Sequence, residues 1–152
     1  MKPMYTLVLT LHSIVRWVVI LLGVWAAAQA FLGWLGRREW TRRDERSGLL
    51  FTVSMDVQIL LGLILYIFLS PLTRAAFRNL GEAMSSADLR FFAFDHIFMM
   101  LVALGLAHVG RALSRRAAAG PGRHRRAAIF FGLATLCVLF AIPWSRPWLR
   151  LG

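Results

Sequence analysis

The sequence predicts an all-α integral membrane protein, a bundle of four transmembrane helices with both termini on the outer, periplasmic side. Three observations carry that prediction. Of the 152 residues, 59% are hydrophobic and the mean hydropathy is +0.63, far above a water-soluble composition. Residues 17–35, 49–71, 91–110 and 127–144 hold almost no charge, and at about 1.5 Å per residue each run is roughly long enough to cross a hydrocarbon core about 30 Å thick. The basic residues are also unevenly divided. Arg37, Arg38, Arg42, Arg43 and Arg46 lie between the first two runs, and Arg111, Arg115, Arg116, Arg123, Arg125 and Arg126 between the last two. These eleven stand against Lys2, Arg74, Arg78, Arg90, Arg146 and Arg150 on the other side. The positive-inside rule then places the starts of the even-numbered helices in the cytoplasm.

One domain, residues 1–152, accounts for the whole chain. The first helix covers about residues 7–35, and its roughly 43 Å exceed the membrane core, so it tilts or protrudes. Lys2 ahead of an apolar stretch suggests a signal peptide, but the stretch runs past the 7 to 15 residues of such a segment, so it is read as a retained helix. "RREWTRRDERS" is a short charged loop, and a second helix follows over 49–70, stopped by Pro71. The outer loop "SPLTRAAFRNLGEAMSSADLR" contains a short interfacial helix with Phe77 and Leu80 on one side. Ser86 suits the cap of a third helix, 91–113, and Gly120-Pro121-Gly122 makes the next turn. The fourth helix, 127–144, ends at Pro143, with Trp144 and Trp148 suited to an aromatic belt. Cys137, the only cysteine, can form no internal disulfide.

The stretch "LHSIVRWVV" puts His12 and Arg16 one helical turn apart at the mouth of the first run. The first and third helices run in the same direction, so His12 and His96 fall at about the same depth inside the outer boundary. Two neutral imidazoles at equal depth on two helices can supply the axial ligands of one haem b. Small-residue stripes follow both: His, Met, Met, Ala, Ala, Gly at 96, 99, 100, 103, 107 and 110, and His, Arg, Val, Gly, Ala, Ala, Ala at 12, 16, 19, 23, 26, 27 and 30. Close helix packing explains such stripes as well as a flat cofactor does. Arg16, one turn deeper than His12, needs a partner at that depth; a haem propionate and Asp95 are the two candidates. The alternative leaves His12 and Arg16 snorkelling among headgroups.

His108 lies twelve residues after His96 and faces about 120° away, and His124 falls in a charged loop. One haem is therefore expected, with His108 hydrogen-bonded or near a quinone. Asp56 in the second helix is at a depth comparable to His108, and a carboxylate beside an imidazole can hold one tautomer or relay a proton at a quinone site. The plainer reading is that Asp56 pairs with Arg16 or His108 only to be tolerated there. Gln58, two residues on, points elsewhere.

No Cys-x-x-Cys-His, glycine-rich phosphate loop, nucleophile elbow or His-Glu-x-x-His occurs, and the loops leave no room for a soluble catalytic domain. The arginine excess sits in loops between apolar runs, which speaks for a membrane and against a nucleic-acid partner. A copper path is a weak third reading, because one His-Asp pair and six scattered methionines make a poor soft-metal route.

At "LHSIVRW", "DVQILLGLILY", "FFAFDHIFMMLVALGLAHVGR" and "AIPW", spread over nearly the whole chain, the sequence resembles small bacterial four-helix membrane proteins of the cytochrome b-like, broadly b561-like, kind. The resemblance implies a multi-pass protein of the bacterial inner membrane with His12 and His96 as haem-iron ligands. The second correctly spaced histidine pair of true b561 proteins is absent. The expected activity is electron transfer between quinol and an acceptor, an oxidoreductase component. The alternative is a cofactor-free accessory subunit of a larger respiratory or photosynthetic complex. Beyond the lipid bilayer, the expected partners are such a complex or further copies of the chain.

Overall fold

The computed structural model describes residues 2–118 and 120–144, and these contain helices and no strand. Arg146, Trp148 and Arg150, used in the reading above, lie outside the described residues. The helices are α1 (Lys2–Leu35), α2 (Arg42–Ile64), α3 (Pro71–Arg78), α4 (Leu80–Ser85), α5 (Ala87–Arg90), α6 (His96–Arg116) and α7 (Pro121–Phe140). One π-helical turn, Leu65–Leu69, prolongs α2, and a second, Phe91–Asp95, joins α5 to α6.

Most of the segment expected to be a charged loop is the first turns of α2, which begins at Arg42 rather than 49. Thr41 and Asp44 form a capping box: the Thr41 backbone N–H donates to Asp44 Oδ2 at 2.8 Å, the Thr41 hydroxyl donates to the same oxygen at 2.6 Å, and the Asp44 N–H donates to Thr41 Oγ1 at 3.4 Å. Two backbone N–H groups at the helix start are satisfied this way, and Asp44 is buried in doing so. Thr41→Ala is expected to destabilise the fold by about 1 kcal/mol, toward 2 because Asp44 also loses a donor; denaturant titration of the purified protein in detergent checks it.

Among the described residues three stretches are long and apolar enough to cross a membrane: Pro3–Leu35, Arg42–Leu69 and Ala87–Arg116. They correspond to the first three expected spans. The last helix differs. α7 has 20 residues, but its start carries Arg123, Arg125 and Arg126, so its uninterrupted apolar part is residues 127–140, roughly 21 Å long at about 1.5 Å per residue. It also ends at Phe140, ahead of Pro143, where the Ala141 N–H closes the final turn on Cys137 O at 2.9 Å. Outward-facing Leu7, Leu21, Leu32, Leu60, Phe98 and Phe140 remain exposed, the pattern of a surface that meets lipid rather than water.

α1 packs chiefly on α2 and α7, and α6 on α7, while the seam between α2 and α6 is sparser. α1 and α6 therefore face each other across the bundle. Its centre is an edge-to-face pair, Phe51 and Phe131, with centroids 5.8 Å apart at 87°. Buried Ala26, Ala30, Ala103, Ala107, Ala127 and Ala134 keep the helices close around it. The stripe on α6 thus belongs to packing over Ala103, Ala107 and Gly110, and only its outer end, from His96 to Met100, reaches a cavity.

Near the start of α6, α3, α4 and α5 fold around buried Ala76, Ala83 and Ala93. The Ser86 hydroxyl accepts from the Leu89 N–H at 3.5 Å and caps α5, the short helix leading to α6. Phe77 meets Tyr66 and Phe94 edge-on at 6.0 and 6.2 Å, and much of its ring and of Leu80 stays exposed, but the single short helix expected to carry both is broken at Asn79, whose extended backbone puts Phe77 on α3 and Leu80 on α4.

Candidate functional site

A cavity of about 160 Å³ lies at the end of the bundle where α6 begins, and His12, Arg16, Gln58, Tyr66 and His96 are among its lining residues. His12 from α1 and His96 from α6 meet inside it with ring centroids 6.4 Å apart and planes at 69°. Two imidazoles bound on opposite sides of one metal at about 2.0–2.1 Å per bond would have centroids roughly 6.3 Å apart. The spacing in the structure is close to that value. His12 and Arg16 both line the cavity.

Backbone irregularity helps to build the site. His96 directly follows the π-helical turn Phe91–Asp95, and Tyr66 lies in the turn Leu65–Leu69. Such turns add a residue to the helical register and redirect the side chains around them. The two are tied together by the Tyr66 hydroxyl, which donates to Ala93 O at 2.8 Å.

Each histidine is held by a different neighbour. His96 Nδ1 is 2.7 Å from the carbonyl of Ala141, just past the end of α7. A carbonyl only accepts, so the proton is on Nδ1 and the Nε2 lone pair is available. This is the pattern by which metal-binding histidines are oriented through their second nitrogen. His12 Nε2 lies 3.3 Å from the Gln58 amide nitrogen, and His12 Nδ1 is buried without a hydrogen-bond partner, as is Gln58 Oε1. On α2, a Cβ at Gly62 would stand 3.3 Å from His12 Cε1, so the glycine leaves room for the ring.

Two imidazoles therefore line the cavity, one with its tautomer set by a carbonyl and one beside an amide N–H donor, with an arginine on the same wall. Among the described residues no group of three or more His, Cys, Asp or Glu side chains gathers. The enclosed volume is smaller than a haem. A cavity of about 150 Å³ holds a molecule the size of benzene, so a macrocycle would need room beyond the enclosed part.

Arg16 has its guanidinium carbon 5.6 Å from the centroid of the Trp17 ring. Asp95, its other expected partner, pairs instead with Arg90 at 3.5 Å. Asp56 and His108 meet each other, Oδ1 to Nε2 at 2.8 Å, but neither lines the cavity. They sit on the α2–α6 seam, whose far end from the cavity is joined by Arg111 and Arg115 to Glu45, each at 3.4 Å. His124 is not in a loop: it lies in the first turn of α7, fully buried. Its ring meets Trp40 at 4.9 Å, and Nε2 lies 3.4 Å from Glu39 O. It occupies the space a side chain at Gly33 would take, which makes its role one of packing.

Gln58 and Tyr66 are the contributors the sequence reading missed. Residues 58, 62 and 66 follow one another at intervals of four, which aligns Gln58, Gly62 and Tyr66 on one face of the helix. That face is opposite Asp56, and it turns inward. Fold and site together define a protein whose described residues are all-helical, with three helices among them apolar enough to cross a membrane and a two-histidine cavity at one end. The chain matches no protein-family model, no curated protein and no solved structure.

Proposed function

We propose that the chain is a b-type cytochrome-like protein of the bacterial inner membrane that binds one haem b between α1 and α6 and passes electrons between quinol and an outward-facing acceptor. In this reading α7 completes a four-span bundle with both termini outside, in keeping with the arginine-rich connections on the opposite side. The observation that carries the proposal is the His12–His96 pair, facing across the bundle at 6.4 Å.

A bound haem supplies a one-electron couple whose potential follows its axial ligands and their surroundings. The rest is the work of the chain's own residues. His96, oriented by Ala141 O, and His12, beside Gln58 and Gly62, would hold the iron. Arg16 on the same wall would bind a propionate. The apolar lining, including Val19, Ile97 and Met100, keeps water from the ring plane.

A cofactor-free accessory subunit of a larger respiratory or photosynthetic complex is the second reading, favoured by the small enclosed volume. One measurement separates the two: the dithionite-reduced minus oxidised spectrum of detergent-purified protein made with excess haem. Sharp low-spin bands at about one haem per chain are the expected result. A colourless protein would overturn the cytochrome reading and leave the accessory subunit.

A further inference from the structure

The Asp56–His108 pair is unexplained by the cavity. Both side chains are about half exposed, 50% for Asp56 and 49% for His108, on a face otherwise formed by exposed Val53, Val57, Leu60 and Leu101. Both lie inside apolar stretches long enough to span a membrane. In a bilayer, polar groups facing lipid at such a position are costly and need cover. We propose that this face is the contact between two copies of the chain, related by a twofold axis, with the Asp56–His108 pair of each copy against that of the other. The inference rests on α2 and α6 crossing the bilayer and is independent of haem.

Two features point to a second copy. Gly105, one turn before His108 on α6, is exposed, and a Cβ there would meet nothing within 4 Å. Packing within the chain therefore gives no reason for a residue that costs about 1 kcal/mol relative to alanine in a helix. Ala112, one turn past His108, is also exposed. Leu101, Gly105, His108 and Ala112 form one stripe, with small residues on either side of the histidine, which lets a second helix approach closely.

The second feature is the pattern of donors and acceptors. The His108 Nε2–H donates to Asp56 Oδ1, leaving His108 Nδ1 and Asp56 Oδ2 without partners among the described residues. With one proton shared between Nε2 and Oδ1, on whichever group it rests, the patch presents the Nδ1–H donor beside the Oδ2 acceptor. A copy rotated by 180° offers the complement, each Nδ1–H meeting the Oδ2 opposite. That self-complementarity is what an isologous interface demands. It also leaves no unpaired charge in contact with lipid.

The test is the oligomeric state in lipid vesicles, read by energy transfer between donor- and acceptor-labelled copies across a range of protein-to-lipid ratios. Wild type is expected to dimerise. Gly105→Leu and Asp56→Asn are each expected to weaken the dimer at least tenfold, whereas Leu21→Ala on exposed α1 is expected to leave it unchanged. Because Gly105 touches nothing, the leucine should fold normally, and its helix content and thermal unfolding serve as the control. Wild type that stays monomeric at every ratio overturns the proposal, as does a dimer indifferent to both variants. A monomer carrying a bound hydroxylated, lipid-soluble ring would overturn it in favour of a small-molecule occupant. Release of the chain from membranes by alkaline carbonate would defeat the membrane reading itself, and a colourless but dimeric protein would defeat only the haem.

Discussion

Protein carrying His96→Ala or His12→Ala is expected to lose the reduced-minus-oxidised bands completely. Each substitution removes one of two imidazoles that face each other at 6.4 Å, and no other histidine lines the cavity to replace it. The two losses should be equal, since iron held by one axial imidazole loses its low-spin signature in either case. Gln58→Leu should behave differently: it leaves both rings in place and removes only the amide N–H that donates to His12 Nε2, freeing that lone pair, so haem retention should not fall and the band shape should persist. Addition of imidazole to His96→Gly should restore the bands, because the vacated space is the size of the missing ring. A spectrum unchanged by either histidine substitution would place any haem elsewhere and remove His12 and His96 as ligands. Pigment analysis alongside unfolding curves separates ligand loss from misfolding.

Phe131→Ala is expected to cost about 3–5 kcal/mol, the range for a large buried aromatic. The ring is almost wholly buried against Phe51 on the opposite helix, and its far edge fills the space that a Cβ at Gly48 would take, 2.9 Å from Cζ. Walls made of glycine and alanine backbone cannot move inward to fill a void, so the upper part of the range applies. The Phe51–Phe131 pair itself should contribute about 0.5–1.5 kcal/mol, as read from a double-mutant cycle with Phe51→Leu. Reversible unfolding in mixed micelles measures both. A cost for Phe131→Ala under about 1 kcal/mol would mean that the bundle's centre is looser than the edge-to-face geometry implies.

His12 and His96 were legible as candidates because a polar residue inside an apolar run stands out, and two at equal depth on parallel helices stand out together. Their facing orientation was not legible, since the π-helical turn before His96 shifts the register and nothing in the composition of "FFAFD" announces it. Gln58 was hidden behind its neighbour Asp56: both are polar, and only the packing shows that one turns into the cavity and the other toward the seam. His124 was misplaced because its burial depends on Gly33 and Trp40, distant in sequence and adjacent in space. The start of α2 was misplaced because the arginines around Thr41 and Asp44 looked like a loop, although Thr-x-x-Asp is a local signal for a helix start.

By itself the sequence determined the helical class, the apolar stretches and the residues too costly to be incidental in lipid, because hydropathy and charge are local and additive along the chain. Only the tertiary structure decided which faces meet. It set α1 across from α6, turned Gln58 toward His12 and Ala141 O toward His96, gave Asp95 to Arg90 and left Asp56 with His108 on the seam. Those choices depend on steric fit between side chains far apart in sequence, a glycine opposite a ring or an alanine beneath a crossing helix, and such fit exists only once the helices are packed.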